Sequence, residues 1–96
     1  LENPESRHSV LEIAKIQRDH LNSPVAAIST LEQGLDEHEW PEDDAAFLMF
    51  RIAEISEEDL ADKDQVIAVM KRVISELKGT RHAGNASHKL RELEEC

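Results

Sequence analysis

One stretch of eleven residues, 45–55 (Ala-Ala-Phe-Leu-Met-Phe-Arg-Ile-Ala-Glu-Ile), carries both phenylalanines of the chain and one of its two methionines. At about 100° per residue, a helix places the aliphatic side chains of this stretch on one arc, the usual face that a helix turns to a core. Phe47 and Phe50 fall on the nearly opposite arc, beside Arg51 and Glu54. One small core cannot cover both arcs, so either a second layer of helices or another chain must cover the phenylalanines. The stretch therefore predicts a central buried helix in a protein that works by association.

Length and composition favour a single all-α domain over residues 1–96. A chain of 96 residues buries only about two-thirds of its unfolded surface, so its stability is small without a partner and dimerisation would help. Aromatic residues make up 3% of the chain, and glycine and proline number three each. This composition favours helix over sheet. We expect four to five helices, arranged as an antiparallel bundle or a helical dimer.

Helix starts and stops divide the chain into five helical segments. The residue before a proline avoids helical angles, so Ser23 with Pro24 ends one helix and starts the next. Gly34 is placed to end the second helix, and Gly79 the fourth, each in a left-handed cap. The predicted helices cover roughly residues 4–21, 24–34, 41–55, 63–78 and 86–95.

Three boundaries stay open from the sequence alone. Residues 56–59 (Ser-Glu-Glu-Asp) either continue the third helix or start a new turn, because they have roughly the spacing of a capping box. Either Asp62 or Asp64 caps the fourth helix. The last helix has only Leu90 and Leu93 as apolar contacts and would be marginal alone. It therefore either frays or docks, and a dimer is one place where it can dock.

The charge of the chain is strongly negative and unevenly spread. The formal charge is −10, from 21 acids and 11 bases, and residues 1–48 hold eleven of the acids and three of the bases. Such a chain is repelled by phosphate backbones and anionic membranes, so we expect no direct binding to nucleic acid or membrane. Trp40 lies among the acids of residues 35–44 and is a candidate exposed anchor for a partner. The plainer interpretation of these acids is helix capping and solvation.

Metal and catalytic sites need residue patterns that the sequence lacks. A di-iron bundle needs two Glu-x-x-His units, and only Glu5 and His8 have that spacing. Three other histidines lack the close pairing that a zinc site needs: His38, His82 and His88. We expect no enzyme activity, no metal and no cofactor.

Cys96 is the only cysteine. It excludes a disulfide within the chain and lacks a defined histidine partner, which makes a nucleophile improbable. A reducing compartment suits such a chain. Because the sequence contains neither a signal peptide nor a transmembrane run, we expect the protein in the cytoplasm.

Residues 19–28 (Asp-His-Leu-Asn-Ser-Pro-Val-Ala-Ala-Ile) resemble the phospho-acceptor box of histidine kinases. In that family a histidine and an acid precede a Leu-polar-Thr-Pro-Leu run in a dimeric helical hairpin. The acceptor position matches Asp19 rather than a histidine, and no nucleotide-binding domain follows. The resemblance implies a degenerate phosphotransfer hairpin with His20 as its candidate residue. The plainer interpretation is a Ser-Pro helix start after a helix end.

The overall pattern of residues 4–78 supports a second resemblance. A short, acidic, all-helical chain with a strongly apolar central helix is similar to the small QslA-like anti-activators of LuxR-type quorum-sensing regulators. This resemblance is one of pattern and transfers no functional residue. It implies binding to the ligand-binding domain of a transcription regulator, which then cannot dimerise and engage DNA.

We therefore expect a regulator that acts through protein–protein interaction, as a helical homodimer that binds and inhibits a transcription regulator. Its candidate partner-binding residues are Trp40, Phe47, Phe50, Arg51 and Glu54. Three alternatives remain open. They are an acidic DNA-mimic inhibitor that covers a basic surface, the degenerate phosphotransfer hairpin, and a secretion chaperone.

Overall fold

The computed structural model describes residues 7–37 and 39–95, and within these ranges the chain forms five α-helices and no strand. The all-α prediction is confirmed. The helices are α1 (Arg7–Asp19), α2 (Pro24–Glu37), α3 (Glu42–Glu58), α4 (Lys63–Glu76) and α5 (Arg81–Glu95). The first three residues of the predicted first helix, 4–6, lie outside the described residues.

The helices pack as an antiparallel, two-layered array. Consecutive helices contact each other, and α3 also contacts α1. Ion pairs link α3 to α1 on one side, through Arg18 and Glu54, and to α5 on the other, through Lys89 and Glu57. We describe α1, α3 and α5 as the outer layer and α2 and α4 as the inner layer. The shortest dimension of the molecule, 16 Å, is about the thickness of two packed helices.

The inner arc of α3 forms the centre of the hydrophobic core, as the sequence predicts. All five aliphatic residues of the predicted arc are buried: Ala45, Leu48, Met49, Ile52 and Ile55. The apolar stripe of α4 covers this arc from one side, and α2 covers it from the other. Together these faces form one continuous core. The helices α2 and α4 pack directly on α3, whereas α1 and α5 pack mainly on α2 and α4.

The prediction that Gly34 ends the second helix is wrong. The helix α2 continues to Glu37, and Gly34 is buried inside it. A Cβ added at Gly34 would lie 3.2 Å from Cγ1 of Val10 on α1. Glycine is therefore needed here because two helices approach closely, and not because the backbone leaves the helix.

The third helix is longer than predicted, and the fourth is slightly shorter. Residues 56–59 continue α3 as far as Glu58, because the Ser56 side chain is buried and its Oγ donates to the Ile52 carbonyl at 2.8 Å. The helix α4 ends at Glu76 rather than at residue 78, and Gly79 has the expected left-handed backbone with φ +88°. The cap of α4 is Asp62, whose Oδ1 accepts from the Gln65 N–H at 3.1 Å.

The fifth helix begins five residues before the predicted start. It starts at Arg81 because Thr80 caps it, with Thr80 Oγ1 accepting from the Ala83 N–H at 3.4 Å. The residues expected to form a link, including Gly84, are therefore helical. Ala86 is fully buried, and Leu90 and Leu93 pack against the core. The helix docks on α4 of its own chain, which settles the choice between fraying and docking.

The turns after α1 and α3 have the same construction. Each contains one residue with a left-handed backbone, Asn22 (φ 50°) in the first turn and Ala61 (φ 49°) in the second. The next residue, Ser23, donates its N–H to the carbonyl six positions back and caps α2 with its side chain, as predicted. Asp62 does the same between α3 and α4. This backbone bond spans one position more than the long bond of a Schellman motif, and it closes the turn that ends α1 at Asp19 rather than at residue 21.

The two helical glycines should respond in opposite ways to added side chains. Gly84→Ala should raise the free energy of unfolding by about 0.5–1 kcal/mol, since alanine favours helix and nothing lies within 4 Å of the added Cβ. Gly34→Leu should lower it by about 1–3 kcal/mol, because the side chain overpacks the contact with Val10. Urea unfolding followed by circular dichroism measures both. A destabilising Gly84→Ala would contradict the early start of α5.

Candidate partner-binding face

The outer face of α3 lies between α1 and α5, on the side of the molecule away from α2 and α4. Four of the five predicted partner-binding residues project from this face. Phe47 is 43% exposed, whereas Phe50 is half-buried and packs against the core. Arg51 and Glu54 are half-buried beside them. The chain itself therefore covers Phe50 more completely than Phe47.

Trp40 does not lie on this face. It belongs to the connection between α2 and α3, where it is half-buried and packs against the core. Its indole Nε1 donates to the Gly34 carbonyl at 2.9 Å. The expectation that Trp40 stands exposed among acids is therefore wrong, because its ring helps to close the α2–α3 connection.

A chain of charged side chains joins the outer face of α3 to α1. The Arg51 guanidinium lies over the Phe47 ring, with Cζ 5.7 Å from the ring centroid, and Nη1 of Arg51 donates to Glu54 Oε1 at 2.9 Å. Glu54 Oε1 also accepts from Nη1 of Arg18 at 3.2 Å. Arg18 holds Asp59 with two donors, Nε at 2.6 Å and Nη2 at 3.0 Å. These pairs tie the surroundings of Phe47 to the packing of α1.

The Arg18–Asp59 pair shifts the titration of both groups. Hydrogen bonding to Asp59 raises the pKa of Arg18 above its usual range, burial acts in the opposite direction, and hydrogen bonding to Glu54 adds to the rise. The hydrogen bonds from Arg18 hold the pKa of Asp59 below its usual range. A bidentate hydrogen-bonded pair of a guanidinium and a carboxylate favours the charged form of each group. Both groups are therefore charged at neutral pH.

Arg18 and Asp59 were not predicted from the sequence as members of this region. They are 41 residues apart, and helical periodicity relates only residues within one helix. The one available signal was charge, since Arg18 is one of only three bases among residues 1–48. A base in an acidic segment indicates an ion pair, but it does not identify which carboxylate is the partner.

Two clefts flank the outer face of α3. The first, of about 260 Å³, lies between α1 and α3 and is called here the α1/α3 cleft. Its floor is apolar (Leu11, Ala14 and Ile55) and its α1 rim is charged (Glu12, Lys15 and Asp19). The second, of about 250 Å³, lies between α3 and α5 and is called the α3/α5 cleft. Its floor includes Phe50, Val66 and Met70, and the Lys89–Glu57 pair crosses it. The face is therefore a ridge between two apolar-floored grooves.

The remaining candidate residues lie away from this face or outside the described residues. His20 is exposed in the turn after α1. The segment that resembles the histidine-kinase box is divided between two helices, because α1 ends at Asp19 and α2 begins at Pro24. His82 Nε2 pairs with Asp43 Oδ1 at 2.7 Å. Glu5, His38 and Cys96 are not among the described residues, and neither is the side chain of His8.

No group of three or more His, Cys, Asp or Glu side chains in the described part of the chain is arranged to hold a metal ion. None of the helices between residues 7 and 95 combines the length and the apolar character needed to cross a membrane.

Comparison of the chain with models of protein families, with curated proteins and with solved structures gave no match. Function is therefore inferred from the residues and geometry described above.

Loss of the Asp59 charge should make stability less dependent on pH. The lowered pKa of Asp59 means that its pairing stabilises the fold above the unfolded-state value of about 3.9 and that this contribution is lost as the pH falls through the lower, folded-state value. Asp59→Asn should cost about 0.5–1 kcal/mol at pH 7, a figure reduced for solvent exposure, and less than this at about pH 3. Urea unfolding of wild type and variant at both pH values measures the difference.

The control is Asp19→Asn, which removes an exposed carboxylate at the same end of the molecule but leaves the Arg18–Asp59 pair in place. It should show no such pH-dependent difference. An equal cost of Asp59→Asn at both pH values would contradict a charge-based role.

Proposed function

We propose that this protein is a regulator that acts by binding another protein through the outer face of α3. The proposed target is a transcription regulator, and the proposed effect is to prevent that regulator from dimerising and engaging DNA. The choice of target rests on the overall resemblance to the QslA-like anti-activators. The location of the binding face rests on the residues of this chain.

The exposure of Phe47 is the observation that carries the proposal. Every aliphatic residue on the inner arc of α3 is buried, yet a phenylalanine in the middle of the same helix is 43% exposed. A single exposed apolar residue needs no explanation, but Phe47 shares its face of α3 with Arg51 and Phe50, which line two clefts with apolar floors. An aromatic anchor beside preformed apolar recesses is typical of a protein-binding surface.

The Arg51 guanidinium adds to the suitability of this face. Arginine and aromatic residues are enriched at the energetically important centres of protein interfaces. Arg51 lies over the Phe47 ring and already has a carboxylate partner in Glu54. Docking an apolar partner surface on Phe47 would therefore not leave the arginine without a counter-charge, which makes its desolvation less costly than that of an unpaired charge.

As expected from the sequence, the proposed regulator is a cytoplasmic protein that forms a homodimer. A homodimer formed through the outer face of α3 would cover Phe47 and compete with the target for it. Light scattering of the purified protein, with and without a Phe47→Asp substitution, reports whether this face holds two copies together.

Phe47→Asp should weaken capture of the target by at least about tenfold, or about 1.4 kcal/mol, because it places a charge at the centre of the apolar contact. Affinity capture with tagged protein from its source cells, followed by mass spectrometry and by titration of the captured protein, measures this. Phe47 is the better single site to change, because Phe50 packs against the core and its replacement would also affect folding.

Val25→Asp is the matched control. Val25 is 65% exposed on α2, in the other layer, and the substitution adds the same charge as Phe47→Asp. It should leave capture of the target unchanged. Equal effects of the two variants, or binding that weakens steeply with added salt, would contradict apolar docking on α3 and favour charge-led inhibition.

A further inference from the structure

The inner grooves of the outer layer are already filled by helices. On the inner side, α2 packs against both α1 and α3, and α4 packs against both α3 and α5. On the outer side, the same pairs of helices border the two clefts that flank the outer face of α3. The outer grooves thus lie between the same pairs of helices as the inner grooves that α2 and α4 occupy. A groove between two parallel helices can hold a third helix, packed with its ridges in the groove.

The α1/α3 cleft is the more enclosed of the two clefts. Both ends of the α3/α5 groove are crossed by ion pairs, His82–Asp43 near the start of α3 and Lys89–Glu57 near its end. Across the α1/α3 groove, Arg18 near the end of α1 pairs with carboxylates at the end of α3 and in the turn after it. Enclosure therefore favours the α1/α3 cleft as the groove for a further helix.

The charges on the rim of the α1/α3 cleft favour a basic occupant. Arg18 and Arg51 both line the cleft, but each already pairs with a carboxylate of α3 or of the turn after it. The exposed side chains of the α1 rim are Glu12, Lys15 and Asp19, two acids and one base. The formal charge of the whole chain, −10, acts in the same direction by attracting cationic partners.

We propose that the α1/α3 cleft binds an amphipathic helix of the protein partner, with an apolar stripe flanked by lysine or arginine. The proposal rests on the proposed function and names the element that the outer face of α3 recognises. The apolar stripe enters the floor formed by Leu11, Ala14 and Ile55 and covers Phe47. The basic flanks face Glu12 and Asp19 on the α1 rim. This is the helix-in-groove mode of recognition.

The test uses a synthetic peptide of leucine and lysine, about 14 residues long and so about 21 Å when helical, with the leucines on one face. It is titrated into isotopically labelled protein at about 0.15 M salt, where surface charge effects are partly screened, and amide shifts are followed by NMR. Saturable binding with shifts centred on Leu11, Lys15, Phe47 and Arg51 is expected. Absence of binding, or shifts centred on α2, α4 or the turn residues Leu21 and Leu60, overturns the proposal.

Two pairs of variants separate groove binding from general attraction between opposite charges. Phe47→Asp and Val25→Asp add the same negative charge, so simple attraction would strengthen both. We expect the first to weaken peptide binding at least about tenfold and the second to change it by less than about twofold. Glu12→Lys and Glu37→Lys likewise change the total charge equally, and only the first should weaken binding severalfold. Equal effects within either pair overturn the proposal.

A peptide with the same composition but no apolar stripe completes the test, and it should bind at least about tenfold more weakly. Failure of this proposal can be distinguished from failure of the proposed function. A cellular target that depends on Phe47, together with peptide shifts away from the cleft, overturns the helix-in-groove proposal alone. Peptide binding in the cleft, without any Phe47-dependent cellular target, overturns the proposed function and supports the cleft as a helix-binding site.

Discussion

Burial of the inner arc of α3 is the interaction on which the rest of the structure depends. Leu48, Met49, Ile52 and Ile55 are almost completely buried, and burial of each such side chain contributes about 1.5–3 kcal/mol. The helices α2 and α4 cover this arc, and α1 and α5 then lie at its two sides. The outer face of α3 is left between α1 and α5, because no helix of the described residues forms a third layer over it. The candidate binding face is therefore a direct result of how the core is built.

Patterns within a single helix were predictable from the sequence, and contacts between helices were not. Helical periodicity identified the arc of α3, and local cap chemistry identified Ser23 as the start of α2. Gly34 shows the limit, because a glycine that ends a helix and a glycine that lets two helices approach look the same in one sequence. The early start of α5 was missed because a helix with few apolar residues is stabilised mainly by docking, here through the buried Ala86.

The candidate site was predicted to a similar extent and for the same reason. Periodicity alone places Phe47, Phe50, Arg51 and Glu54 on one face, since all four belong to α3. Their different exposure depends on the positions of α1 and α5, which the sequence does not reveal. Trp40 lies outside any helix, so no period constrained its direction, and its hydrogen bond to a carbonyl six residues earlier had no sequence signal.

The shared construction of the turns after α1 and α3 limits how this fold can change in length. Ser23 and Asp62 each close the preceding helix with their backbone N–H and cap the following helix with their side chain. An insertion of even one residue would separate these two roles and shift one helix against its neighbour. Insertions, fused tags and cuts for circular permutation within either of these two hairpins should therefore disturb the packing of both helices that the hairpin joins.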